Sequence, residues 1–191
     1  MPRTKQQFEE IRKRTRSKIL ENALVLFAEN GFKGTSISEI AKAAEVSKGL
    51  AYNYFKDKNA LMYSVLELLT KEIESVFITA KNLKDPQNKL KLLINETFKQ
   101  LRTQEKFWRL YMNFVLSTEI QSHANKFLAE FLEKVLTELE YIFAELKHPN
   151  PSLESKTFGA ILDGVCFHYL FDKENYPLEK MRKYLISKYC K

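Results

Sequence analysis

The sequence predicts an all-α fold of about nine helices, three in a small N-terminal domain (residues 1–57) and the rest in a larger C-terminal bundle (residues 58–191). Three observations carry that reading. Only 5 Gly and 5 Pro interrupt the 191 residues, so few breakers separate the helical stretches. Apolar residues recur at i, i+3, i+4 and i+7 in segment after segment, and period-2 alternation is nowhere sustained. Hydrophobic residues make up 45% and charged residues 29%, the makeup of a globular chain with a sizeable core.

The elements follow in order. From about Gln6 to Asn30, Ile11, Thr15, Ile19, Ala23, Leu26 and Phe27 fall at helical spacing, and Gly31 stops the helix. Ser36-Ile37-Ser38-Glu39 is a capping-box pattern, with Ser36 as the cap and Glu39 reaching back to it. Behind it, Ile37, Ile40, Ala41 and Ala44 give a narrow inward face. Ser47 offers a second cap, for a helix from Lys48 to Phe55. Two short capped helices about three residues apart have the layout of a helix-turn-helix.

A fourth helix runs from near Lys58 to about Leu83. Asp85-Pro86, a cap followed by proline at the first helical position, opens a fifth that extends to about Gln104. The sixth covers Lys106 to Leu116 and the seventh roughly Glu119 to Leu146. Pro149-Asn150-Pro151-Ser152 then breaks the chain before an eighth helix ending at Phe171. Pro177 opens the last, which ends near Tyr189.

Charge is unevenly spread. Of the net +7, residues 1–58 carry +5, from twelve Lys/Arg against seven Asp/Glu. A basic head on a near-neutral body suits a nucleic-acid partner, and equally an anionic membrane surface; charge alone does not choose. Cys166 and Cys190 are the only cysteines, too few for a disulfide framework or a zinc site, so a reducing cytoplasm is the expected compartment. The start, Met1-Pro2-Arg3-Thr4-Lys5, leads into charged sequence, and no apolar run approaches the ~20 residues of a membrane span. A soluble protein with no membrane partner is expected. His123, His148 and His168 are dispersed, with no metal-ligand spacing and no nucleophile beside them. Neither a metal, a cofactor nor an enzymatic activity is expected. Cys166, on an apolar helix, reads as buried rather than reactive.

The informative stretch is FAENGFKGTSISEIAKAAEVSKGLAYNYFKDKNAL, Phe27 to Leu61. The segment from Ser47 to Tyr54 is barely two turns long, so it presents few outward residues. Val46, Ala51 and Phe55 anchor it inward, toward Ile40, Ala41 and Phe27. Outward go Lys48, Gly49, Leu50, Tyr52 and Asn53. The major groove of B-DNA admits one α-helix, and base edges are read from its N-terminal part. Lys48 suits guanine or phosphate, Asn53 a base edge and Leu50 a thymine methyl, while Gly49 lets backbone approach the duplex.

The stretch resembles the signature of the TetR family of transcriptional regulators. The likeness rests on Leu26-Phe27-Ala28-Glu29, Gly31-Phe32, Thr35-Ser36-Ile37, Ile40-Ala41, Ala44, Val46-Ser47, Gly49, Tyr52, Phe55, Lys58 and Leu61, and with Ile19-Leu20 it covers about a quarter of the chain. The resemblance implies that Lys48 and Tyr52 contact bases or neighbouring phosphates, and that Tyr54 and Lys58 clamp the backbone. Ser38, on the outward side of its helix, and the caps Ser36 and Ser47 complete the DNA-facing set. The basic run Arg12-Lys13-Arg14-Thr15-Arg16, with Arg3 and Lys5, is either a source of sequence-independent attraction or a solvated helix face. Two positions depart from the common pattern. Glu45 stands where the turn usually has glycine, and Tyr54 where histidine is frequent.

The C-terminal part resembles the family only in length and helical character. Its aromatic residues mostly fill a core. A subset is expected to line an apolar cavity for a hydrophobic or aromatic small molecule: Trp108, Tyr111, Phe114, Phe131 and Phe167, with Asn113 and His168 as polar anchors. A homodimer is also expected, built as a four-helix interface from the last two helices. Its candidate residues are Phe158, Ala160, Ile161, Gly164, Val165, Met181 and Leu185, unless those faces bury within the monomer. The expectation is a ligand-responsive regulator, a repressor on a (pseudo)palindromic double-stranded operator. Effector binding would tilt the helix from Lys58 to Leu83 and move the two recognition helices apart. A DNA-binding architectural or adaptor protein without a metabolite ligand is the alternative.

Overall fold

The computed structural model describes the backbone of residues 4–116 and 122–190, and their side chains apart from those of 114–116 and 122–125. Among the described residues it has nine α-helices and no strand: α1 (Lys5–Asn30), α2 (Ile37–Ala43), α3 (Lys48–Tyr54), α4 (Lys58–Lys81), α5 (Pro86–Thr103), α6 (Glu105–Leu116), α7 (Ser122–Glu145), α8 (Pro151–Phe171) and α9 (Leu178–Tyr189).

The helix ends fall where the sequence places stop and start signals. Gly31 ends α1 at φ 71°, its N–H donating to the Phe27 carbonyl. Ser36, Ser47, Asp85 and Asn150 each cap a helix through a side-chain oxygen. α7 ends in a Schellman turn: His148 N–H reaches the Phe143 carbonyl and Lys147 N–H that of Ala144, with Lys147 left-handed at φ 57°.

The chain divides into two compact units, Met1–Leu69 and Thr70–Lys191. The expected boundary at 57/58 therefore moves into α4, whose first turns bury Leu61, Met62, Val65 and Leu66. The core of the first unit is completed by Ile19, Ala23 and Phe27 of α1, Ile40 and Ala41 of α2, Ala51 of α3, and Phe55. Removing the fully buried Phe27 ring is expected to cost about 3–5 kcal/mol. Val46, expected as an anchor, is only half-buried; its backbone rather than its side chain ties the turn, through Ala41.

In the second unit α7 packs along α8 and α5 along α9. Leu90, Ile94, Phe98 and Leu101 of α5 form one wall. Phe143 and Phe158 meet edge to face at 5.7 Å, and Phe158 meets Tyr189 at 5.0 Å. Cys166 is fully buried, and desolvation, helped by the nearby Asp163 charge, pushes its thiol up to about 12. It is an inert core thiol.

Candidate functional site

The first unit fixes α3 from behind and leaves its outer edge free. Ser47 Oγ accepts from the Leu50 N–H at 3.1 Å. Ala51 and Phe55 are buried, 1% and 4% exposed. The turn from α2 closes with the Val46 N–H on the Ala41 carbonyl at 2.9 Å, and it forces Glu45 to φ 53°. A left-handed non-glycine residue costs about 1 kcal/mol. The Glu45 carboxylate is paired with Lys18, whose hydrogen bond and charge hold it below the usual carboxylate range.

α2 is locked in the same manner. Glu39 N–H donates to Ser36 Oγ at 3.2 Å, and Glu39 Oε2 accepts from the Ser36 N–H at 2.7 Å. The Ser36 hydroxyl, donating to Glu39 Oε2 at 2.7 Å, and then the Ser36 N–H keep the Glu39 carboxyl low. Thr35, 2% exposed, donates its hydroxyl between the Leu26 and Gly31 carbonyls at 3.0 and 2.9 Å.

Outward from this frame stand Lys48, Gly49, Leu50, Tyr52 and Asn53, all exposed, with Tyr52 at 45%. Ser36, Ser38 and Ser47 are exposed as well, the two caps already engaged with their own helices. Tyr54 is half-buried beside Phe55. Arg12, Lys13 and Arg14 are exposed, whereas Arg16 donates to Ser64 Oγ at 3.1 Å and lies 5.2 Å from the Phe55 ring centre. Arg3 lies outside the described residues.

Lys58 is engaged within its own unit. Its Nζ donates to the carbonyls of Phe32 and Thr35 at 2.9 and 3.0 Å and sits 4.3 Å from the Phe32 ring centre. Two of three ammonium hydrogens thus satisfy the α1–α2 connection. In the unbound chain Lys58 thus braces that connection.

The second unit holds a cavity of about 300 Å³. Its walls come from the second half of α4 (Ile73, Val76, Phe77), from α5 (Leu93), from α7 (Phe131, Val135, Leu136, Leu139) and from α8 (Phe158, Leu162), with Trp108 and Tyr111 from α6. Polar groups are few: Thr97, Gln100, Lys156 and Asp163 besides the Trp and Tyr tips. Tyr111 donates its hydroxyl to Asp163 Oδ1 at 3.1 Å. Burial, and then the adjacent carboxylate, push the Tyr111 phenol far up, so it stays a donor. Desolvation raises the Asp163 carboxyl, partly offset by the Tyr111 hydrogen bond. The buried Trp108 Nε1 finds no acceptor among the described residues.

A family model described as "Bacterial regulatory proteins, tetR family" matches residues 19–65. The HTH-type transcriptional regulator AcrR of Shigella flexneri is 36% identical over a 200-residue alignment that covers 93% of this chain and 86% of that protein. The chain belongs to the TetR family. Among solved structures, the fatty acid degradation regulator FadR from Bacillus halodurans matches with a TM-score of 0.75 and 25% identity, over 90% of this chain and 95% of that one. NalD of Pseudomonas aeruginosa, described as the secondary repressor of the MexAB-OprM multidrug efflux pump, matches with a TM-score of 0.74 and 26% identity, over 92% and 93%. This TetR-family chain is accordingly a transcriptional regulator with an N-terminal helix-turn-helix and a C-terminal helical domain.

Within that TetR-family body the expected cavity residues separate. Trp108, Tyr111 and Phe131 line the cavity. Phe167, His168 and Asn113 do not; all three are exposed. Phe167 lies nine residues, two and a half turns, after the buried Phe158 and so faces the opposite side of α8, where it stacks on Phe171. Asn113 follows Tyr111 by two positions and turns away for the same reason. The side chain of Phe114 lies outside the described residues.

The expected dimer residues separate too. Phe158, Val165 and Leu185, 0%, 5% and 2% exposed, belong to the core of their own chain. Ala160 is exposed, and Ile161, Gly164 and Met181 are half-buried. The large apolar groups that do face out, Leu153, Phe171 and Tyr184 at 60%, 82% and 59%, were not among those expected. Asp163 was also missed, although an acid inside the apolar run FGAILDGVCF is a legible anomaly.

Proposed function

We propose that this chain is a repressor that binds a (pseudo)palindromic operator as a homodimer in the cytoplasm and is released by a small hydrophobic or aromatic molecule. The observation that carries it is the outer edge of α3. Lys48, Tyr52 and Asn53 stand free on a helix whose caps, turn and buried side are satisfied from within. That leaves donors and an aromatic ring available to a groove. The exposed Arg12, Lys13 and Arg14 add sequence-independent attraction to phosphate. The likeness to NalD, described as a repressor, supports repression over activation.

The exposed faces of α8 and α9, with Ala160, Phe167, Phe171 and Tyr184, support a homodimer interface. α4 supports coupling. It is one helix from Lys58 to Lys81; its beginning contributes to the core of the first unit, and Ile73, Val76 and Phe77 line the cavity. The ion pairs Glu74–Lys134 at 2.8 Å and Lys81–Glu138 at 2.6 Å tie that second half to α7. A ligand that pushes α4 from α7 would bias the pair of α3 helices away from the ~34–36 Å spacing of successive major grooves.

Selection of bound sequences from random DNA, followed by a ligand screen for release, tests the proposal. A palindromic consensus released by an apolar ligand is expected. Selection without a consensus would overturn operator recognition. A consensus that no apolar ligand releases would favour an adaptor role instead.

A further inference from the structure

Resting on that sensing role, we infer that the effector is a lipophilic cation: an apolar body carrying an amine or quaternary ammonium group that pairs with Asp163. A purely hydrophobic ligand needs no charge in its cavity, yet this cavity spends one. Asp163 lines it from the middle of α8, and its described hydrogen-bond partner is Tyr111, at 3.1 Å. No ion pair forms at Asp163 among the described residues. A half-buried carboxylate in an apolar lining is costly without a cation, and an entering cation reduces that cost.

The surroundings suit the same group. Trp108 and Tyr111 meet edge to face with ring centroids 5.6 Å apart, and Phe131 lines the same cavity. Aromatic faces attract an ammonium most strongly where water is excluded. Among the described residues Lys156 is the one cationic side chain in the lining; it is exposed, so its charge stays hydrated. An anionic head beside Asp163 would meet a like charge, so carboxylate-bearing ligands are disfavoured.

Trp108 is the only tryptophan and so reports on the cavity directly. The experiment titrates its fluorescence in the full-length protein with decyltrimethylammonium, decanol and decanoate, each below its aggregation concentration. The wild type is expected to bind the cation at least tenfold more tightly than either partner. Asp163→Asn, shown to keep its helical circular dichroism, is expected to shrink that preference over decanol to threefold or less. Lys156→Gln is expected to leave the order unchanged. A wild type that binds decanol or decanoate as tightly as the cation overturns the inference while leaving apolar sensing intact. So does an Asp163→Asn protein that keeps the tenfold preference. Silence of Trp108 toward all three, with no release of operator, would instead bring down the sensing role itself and this inference with it.

Discussion

The two units put their unspent polar groups in opposite places. In the first, Ser36, Glu39, Ser47, Thr35 and Lys58 satisfy the backbone of the helix-turn-helix, and the surplus donors of Lys48, Tyr52 and Asn53 face outward. In the second, the surface is conventionally charged and the surplus lies at the cavity: among the described residues, an indole N–H without an acceptor and a carboxylate without a cation, in a mostly apolar lining. A partner as large as a duplex can be met only by groups displayed on a rigid frame. A small molecule can be met only by groups that water does not already satisfy.

The contrast is sharpest at Lys58. Replacing it with alanine strands the carbonyls of Phe32 and Thr35 and removes the contact with the Phe32 ring. Lys58→Ala is expected to cost about 2–3 kcal/mol in denaturant unfolding. Unchanged stability together with a salt slope of DNA binding flattened by about one unit would assign Lys58 to phosphate alone and blur the distinction between frame and displayed edge.

Tyr52→Ala is the complementary change. It removes an exposed ring that no core contact needs, so affinity for a selected operator is expected to fall about tenfold, within the ~1–3 kcal/mol of a base contact. Unfolding should move by less than about 0.5 kcal/mol.

Glu45→Gly probes the strain in the frame. Glycine relieves the φ of 53° but gives up the pair with Lys18. A net gain of up to about 1 kcal/mol at neutral pH is expected. The Glu45 pKa is lowered in the folded state, so its pair stabilises above the ordinary carboxylate value of 4.5 and is lost as pH falls through the lowered one. The advantage of glycine in a thermal melt should therefore grow on acidification.

The smallest effect is expected at Asp163. Its folded pKa is raised, so the folded state holds the proton more tightly and stability declines as pH climbs from 3.8 through the raised value. Asp163→Asn should remove that decline and raise the neutral-pH melting temperature of the ligand-free protein. A lowered melting temperature would mean that the carboxylate is a structural asset, not a reserved binding group.

Legibility in the sequence follows the same division. Caps, stops and the two short helices are local features, so Gly31, the Ser36/Glu39 box and Ser47 were readable, as were the exposed residues of α3. Lys58 was not, because its partners lie 26 and 23 residues upstream and only tertiary structure brings them near. In the bundle every helix carries apolar residues on more than one face. Periodicity therefore did not separate Phe158, which is core, from Phe167, which is surface. Residue type alone points to Trp108, Tyr111 and Phe131 as cavity residues, whereas the meaning of Asp163 depends on what surrounds it.

The most direct test of the displayed edge is a binding isotherm. Wild type and a Lys48→Ala/Tyr52→Ala protein are titrated onto one selected operator and onto unrelated DNA at fixed salt. The variant should lose at least tenfold on the operator, with its unrelated-DNA affinity lowered only by the one lost lysine charge and its melting temperature unchanged. Equal operator affinity for the two proteins would contradict the account, because recognition would then have to come from somewhere other than α3.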